Sequence, residues 1–317
     1  MAQRHGLFQY IRLKLLVVLL RAFVAVTRIG KRQRDRDLAL PDVPVEHVSI
    51  PSRDPGRGIA AHLYLPPGYS SSSSKPLPIL VNWHGSGFII PLLGTDALFC
   101  ARTARDAGIA VLDADYRKGP ENPFPAAFDD AEDVLRWVAT RGHRFDLACV
   151  AVSGFSAGGE IALVAATFLR KQLRDLINIR IVFSLYPLLD LVKDPKEKKV
   201  PHPVNAHPVW ALHIFNDSYA PDIGSRTNPI ISPNFADLDD YPPTVVFITA
   251  EGDNLRPEAE DLAKRLIAGT QKKVVNTVLA GVAHGFDKGC EEGSVGWTRR
   301  EEAYALVTKL VKESFNI

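Results

Sequence analysis

Hydrophobic and polar positions alternate in three distinct ways along this chain. From Leu77 onward, short apolar runs rich in β-branched residues take turns with stretches of helical period. Strands are predicted at Pro78–His84, Ile109–Asp115, Ala148–Ser153, Ile179–Tyr186, Thr244–Ala250 and Val274–Ala280. Helices are predicted at Asp96–Ala107, Pro125–Thr140, Ile161–Lys171, Pro257–Ala268 and Trp297–Ser314. Such alternation predicts an α/β fold with a mostly parallel central sheet covered by helices on both faces, and with ligands at the carboxyl ends of the strands. Ahead of it, Val45–Ile50 and Ile59–Leu65 read as a hairpin joined by a Pro- and Gly-rich turn. The polar run 70–74 reads as a surface loop.

The pattern breaks twice. Between 187 and 240 eight prolines and the charged run 193–199 interrupt it, although 208–215 can be helical; this insertion is expected to supply part of a lid. At the other break, residues 7–27 are mostly apolar, with charges at Arg12, Lys14 and Arg21, and Lys14 and Arg21 fall with Arg28 on one stripe within about 40° of each other at helical pitch. Arg21 interrupts both a signal-peptide core and an uncharged span, and no small-residue cleavage site follows. Two readings stay open: a basic amphipathic helix, lying on an anionic membrane or packing as a cap over an apolar pocket, or a membrane anchor with a basic flank. Residues 1–45 are thus expected to form the N-terminal segment, and 46–317 the catalytic domain with its insertion.

Composition changes this picture in one respect. The 317 residues carry a net charge of +2, with 46% hydrophobic and 23% charged residues, which points to a globular enzyme and to no nucleic-acid partner. Within the first 36 residues, however, nine basic side chains face a single acid, leaving the remainder at −6. Cys100, Cys149 and Cys290 are too widely spaced for a zinc site or a disulfide framework, in keeping with a reducing compartment.

The chemistry gathers around Gly154-Phe155-Ser156-Ala157-Gly158, a Gly-x-Ser-x-Gly between a predicted strand and a predicted helix. This is the form of a nucleophile elbow. A serine hydroxyl needs a base and a group to orient that base. Of nine histidines, His284 is best placed, in a Gly-flanked loop after a late strand. His5, His47, His62, His143, His202, His207 and His213 suit solvated or structural roles. Asp253, directly after a strand, is the candidate acid, with Glu251 and Asp261 as competitors. Donors for a tetrahedral oxyanion are expected from the N–H of Ala157 and from the glycine-rich turn Asn82–Phe88.

Together His84-Gly85-Ser86-Gly87-Phe88, Asp115-Tyr116-Arg117 through Pro120-Glu121-Asn122-Pro123-Phe124-Pro125-Ala126, Gly154–Gly159, Asp253-Asn254-Leu255 and His284-Gly285-Phe286 resemble the hormone-sensitive lipase-like esterases of the α/β-hydrolase fold. The resemblance runs from about Pro78 to the C-terminus. It implies a triad of Ser156, Asp253 and His284, an oxyanion hole of the Gly85, Ser86 and Ala157 N–H groups, a bracing role for Asp115–Ala126, and a cap built from the N-terminal segment plus the insertion. Ser86 stands where the family usually has Gly and offers a hydroxyl as a further donor. Phe155 replaces a frequent Asp, and Glu160 a frequent Asn.

The expected activity is carboxylic-ester hydrolysis through an acyl-enzyme, on a small or medium apolar ester, with no metal or cofactor. A thioesterase, lactonase or deacetylase acting on a secondary metabolite or sterol ester is the alternative. A receptor on a retired hydrolase fold is disfavoured by the retention of His284. The expected location is cytoplasmic, with peripheral contact to a membrane such as the endoplasmic reticulum surface through residues 7–36; a homodimer is compatible.

Overall fold

The computed structural model describes residues 6–38, 40–70 and 75–317. The predicted loop at 71–74 and His5 lie outside the described residues. Two N-terminal helices, α1 (Leu7–Thr27) and α2 (Ile29–Asp37), precede a hairpin of β1 (Val45–Pro51) and β2 (Gly58–Tyr64). Then follow β3 (Leu77–Trp83), α3 (Ala97–Ala107), β4 (Ala110–Ala114), α4 (Ala126–Ala139), β5 (Phe145–Phe155), α5 (Ala157–Val164), α6 (Arg170–Gln172) and β6 (Ile179–Leu185). After the insertion, which contains α7 (Val209–Tyr219), come β7 (Thr244–Ala250), α8 (Arg256–Gly269), β8 (Lys273–Leu279) and α9 (Val295–Phe315).

The strands form one eight-stranded sheet in the order β1-β2-β4-β3-β5-β6-β7-β8. β2 runs antiparallel to β1 and β4, and the remaining pairs are parallel. Because side chains alternate across a strand, each buried strand feeds two cores. On β3, Ile79, Val81 and Trp83 join the layer of α4, α5 and α8, while Leu80 joins that of α3 and α9. Val150 and Val152 of β5 divide in the same way from Ala151 and Phe155. Each fully buried Val, Leu or Ile contributes about 1.5–3 kcal/mol through loss of apolar surface to water.

The centre of the sheet is set by close backbone approach. An added Cβ on Gly154 would lie 2.0 Å from the Gly158 carbonyl oxygen, and one on Gly158 would lie 1.9 Å from that of Trp83. The end of β5, the start of α5 and the end of β3 therefore touch through backbone. This contact draws α5 back to Ala157, earlier than the helix predicted from Ile161, because tertiary packing outweighs the poor helical propensity of Gly158 and Gly159. The same helix passes through a π turn at Ala165–Leu169, which the helical period did not foretell.

The two irregular regions meet over the carboxyl ends of the strands. In α1, Leu13 and Val17 are buried, and Val17 packs with Ile89, Ile90 and Leu92 beside Ile214 and Phe215 of the insertion. The predicted basic stripe faces the protein. Lys14 and Arg21 both bond Glu121, and the opposite side of the helix, apolar apart from the exposed Arg12, is outermost, with Phe8 83%, Leu19 68% and Phe23 65% exposed. Among the described residues no helix is long and apolar enough to cross a membrane. The charged run 193–199 also hides a surprise: Lys198 is buried, 2.5 Å from the equally buried Glu258, and donates to the Asp190 carbonyl. Breaking such a pair from one side costs about 3–5 kcal/mol, so this lysine pins the insertion to α8.

Gly158→Ala tests the backbone contact. It is expected to lower the free energy of unfolding by about 3 kcal/mol, read as a fall in the urea midpoint, whereas an unchanged midpoint contradicts the contact.

Candidate active site

Ser156 sits at the corner between β5 and α5 with φ 54° and ψ −118°, a left-handed conformation that a serine adopts only when its surroundings compel it. The compulsion is the glycine contact just described, together with the Ser156 N–H bond to the Leu185 carbonyl at 2.9 Å. The result is an Oγ lifted clear of both elements. His284, in the loop between β8 and α9, places Nε2 2.9 Å from that Oγ. Its Nδ1 lies 2.7 Å from Oδ2 of Asp253, which follows β7 and is fully buried. Burial pushes the Asp253 carboxyl up, but the adjacent His284 and the Leu255 N–H outweigh it and hold the carboxyl below its ordinary value. An ionised Asp253 accepts the Nδ1 proton and leaves the Nε2 lone pair directed at serine.

The competing acids are occupied elsewhere. Glu251 accepts the Gly281 N–H at 2.9 Å and holds the β8 turn, and Asp261 pairs along α8 with Arg265.

The glycine-rich turn abuts the serine: a Cβ on Gly85 would lie 3.0 Å from the Phe155 carbonyl oxygen and 3.2 Å from Ser156 Cβ. The N–H groups of Gly85, Ser86 and Ala157 make no hydrogen bond among the described residues, so all three remain available to an oxyanion. The Ser86 hydroxyl is differently employed. The Tyr116 hydroxyl donates to the His84 carbonyl at 2.7 Å, so Ser86 Oγ must donate to Tyr116, 2.6 Å away, while accepting the Phe88 N–H at 2.8 Å. Its proton is spent on the turn. The expected extra donor is therefore a brace.

Asp115 bonds His84 Nε2 at 3.1 Å and Lys118 at 2.7 Å, holding the turn from below. Arg21 of α1 holds it from above. Its Nε donates to the Ile89 carbonyl at 2.7 Å and its Nη2 to the Gly119 carbonyl at 2.9 Å, while Nη1 and Nη2 clasp Glu121. Ile89 and Ile90 in turn donate to the Ser86 carbonyl. Burial alone pushes the Glu121 carboxyl up, but Arg21 and Lys14 hold it down to about 2.

His207 is the residue that the sequence reading missed. It comes from the insertion, and its ring meets that of His284 edge to face, with centroids 4.3 Å apart. The two segments are fastened side by side. The His207 N–H donates to Asn254 Oδ1 at 3.3 Å, and Asn254 Nδ2 donates back to the His207 carbonyl at 3.1 Å. Burial, then the neighbouring His284, pull its imidazole down to about 3, so it is neutral. His207, Asp253 and His284 are also the one group among the described residues whose ligating atoms, all within 4.8 Å of one another, could hold a metal ion.

Ser156 and His284 open into a cavity of about 100 Å³, walled by Ile90, Leu92, Tyr186, Leu188, Leu212 and Phe215. A neighbouring chamber of about 400 Å³ shares Arg28, Thr95 and Lys288 with it. Lys288 is held there by Asp96 and Asp287 at 2.7 and 2.8 Å and lies over the Phe155 ring. The apolar Phe155 thus fills the floor beside Phe99. Glu160 is buried, and burial pushes its carboxyl far above the ordinary value, toward the neutral acid.

Comparison with known proteins finds the same fold. Residues 80–288 match the family model described as alpha/beta hydrolase fold. The chain is 34% identical over 266 residues to Esterase LipI of Mycobacterium tuberculosis, covering 80% of each chain. It is 29% identical over 247 residues to Ethyl acetate hydrolase of Pseudomonas putida, covering 76% of this chain and 75% of the other. Among solved structures, an esterase of Pyrobaculum calidifontis superposes with a TM-score of 0.76 at 28% identity, covering 94% and 92% of the two chains. The carboxylesterase EstE1, from a metagenomic library, reaches 0.77 at 26% identity, covering 94% and 97%.

Arg21→Met is expected to loosen the oxyanion turn and lower kcat about tenfold, since misplacing a donor by a fraction of an ångström weakens it in the transition state. Steady-state kinetics on a soluble ester checks this, and an unchanged kcat contradicts a role for α1 in the site.

Proposed function

The chain belongs to the alpha/beta hydrolase fold family, and on that premise we propose that it is a serine carboxylic-ester hydrolase in which Ser156, His284 and Asp253 form the triad. The observation that carries this reading is the hydrogen-bonded series from Ser156 Oγ through His284 to Asp253, built on a strained elbow. Oγ attacks the acyl carbonyl as its proton passes to His284 Nε2. Asp253 stabilises the imidazolium so formed. The oxyanion is held by the N–H groups of Gly85, Ser86 and Ala157, each worth about 3–4 kcal/mol in comparable sites. Collapse expels the alcohol, which takes the proton from His284, and leaves Ser156 acylated. Water, deprotonated by His284, then releases the acid and restores the serine. The relatives named as esterases and as an ethyl acetate hydrolase, and the apolar wall of a small cavity, support a small or medium apolar ester as substrate.

The N-terminal helices and the insertion act as the cap, and α1 also rests on a membrane surface. The support is its inverted orientation. The cations Lys14 and Arg21 are consumed inside, and a mainly apolar band of Leu7, Phe8, Ile11, Leu15, Leu19 and Phe23, interrupted by the exposed Arg12, faces outward near Trp210 of α7. A helix of this length lying flat presents about 30 Å of apolar edge. Of the basic residues of this segment, Arg12 is exposed on the outer side of the helix and complements anionic lipid rather than a second, equally basic copy.

Ser156→Ala is expected to lower kcat by roughly 10⁵–10⁶ while the folded structure persists. A fluorophosphonate should label the wild-type Ser156 peptide alone; equal labelling of the variant sinks the assignment. In flotation with phosphatidylcholine–phosphatidylserine vesicles, the full chain should rise with the lipid and a variant with Phe8, Leu15, Leu19 and Phe23 changed to Ser should not. Failure of the wild type to float, with a dimer in solution that the same variant dissociates, would assign the band to a second copy.

A further inference from the structure

We propose that His207, Asp253 and His284 form a Zn²⁺ site through which the ion reversibly shuts off the hydrolase. The ligating atoms of these three side chains lie within 4.8 Å of one another. Two imidazoles and one carboxylate are a nitrogen–oxygen donor set suited to zinc, and three protein ligands leave the fourth tetrahedral position to water. Asp253 and His284 are fixed there by the triad, so the residue that makes the set is His207.

Three features of His207 fit a ligand better than a filler of the cap. Its Nδ1 is buried and has no hydrogen-bond partner among the described residues. An orphaned buried polar atom of this kind is destabilising, and coordination would relieve it. Its ring stands edge to face against the ring of His284 at 4.3 Å, close enough for one ion to reach both. Its backbone is clamped in both directions by Asn254, the residue next to Asp253, so the third donor is held in register with the second.

The ion would end catalysis at whichever ring nitrogen of His284 it took. At Nε2 it occupies the lone pair that must accept the Ser156 proton, 2.9 Å away. At Nδ1 it displaces the proton shared with Asp253, and that proton moves to Nε2 of the same ring. The nitrogen facing Oγ is then a donor and can no longer serve as base. No proton is lost from the ring and no redox step is involved, so chelation restores the free enzyme.

The inhibitory half of this proposal rests on the esterase reading; the binding half does not. The two are separated by titrating ZnCl₂ calorimetrically into full-length Ser156→Ala, and kinetically into the wild type with a soluble ester. The expected results are one ion bound per chain in the first, and inhibition reversed by a chelator in the second. His207→Gln, placed on the Ser156→Ala and wild-type backgrounds in turn, should weaken both binding and inhibition by about tenfold or more, each rate normalised to that protein's own metal-free rate. Asp253→Asn, assayed by calorimetry alone and with its fold checked by circular dichroism, should weaken binding to a similar degree. Mg²⁺, which prefers six oxygen ligands, should neither bind nor inhibit. Equal zinc midpoints in wild type and His207→Gln would overturn the proposal, as would calorimetry showing no ion bound to Ser156→Ala. Binding without any esterase activity would instead count against the function proposed above and leave the zinc site standing.

Discussion

Backbone contact among β3, β5 and α5 is the constraint on which the rest depends. No side chain can separate Gly158 from Trp83 or Gly154 from Gly158, so the chain must turn sharply between them, and the residue at the corner must accept a left-handed conformation. The strain at Ser156 is maintained by a sheet whose central strands are buried on both faces. The other site residues then arrive from the carboxyl ends of their strands: Gly85 after β3, Asp253 after β7 and His284 after β8. The chemistry is thus a consequence of topology, with loops adding side chains to a position that backbone packing has already determined.

Above this floor the cap does more than cover. Arg21 spends its guanidinium on two carbonyls and an acid around the glycine-rich turn, and His207 stands against His284. The N-terminal helix is thereby tied directly to the turn that follows β3. Lys14 and Arg21 face inward while Phe8, Leu19 and Phe23 face outward, which is the reverse of the orientation of an ordinary surface helix.

Much of this was legible in the residues. The strand–helix alternation gave the layers, because a parallel sheet with two buried faces demands long apolar runs. Ser156, Asp253 and His284 stood out because each lies in a small-residue loop immediately after a strand or before a helix. Other features depended on tertiary proximity that no local pattern encodes. The stripe of Lys14, Arg21 and Arg28 gave an amphipathic helix, yet periodicity does not say which side faces in; Glu121, distant in sequence, decides it. His207 looked like one more histidine in a proline-rich excursion, and only the clamp to Asn254 brings it to His284. The Ser86 hydroxyl looks free in the sequence because Tyr116, which takes its proton, lies on another segment.

The most direct test of the account is to trap its intermediate. The wild-type chain is mixed with a slowly hydrolysed ester, quenched in acid within a turnover, digested and examined by mass spectrometry. The peptide containing Ser156 is expected to gain the mass of the acyl group, in an adduct whose formation and decay are each at least as fast as kcat. Turnover with no acylated peptide, or acylation at a residue other than Ser156, would contradict it.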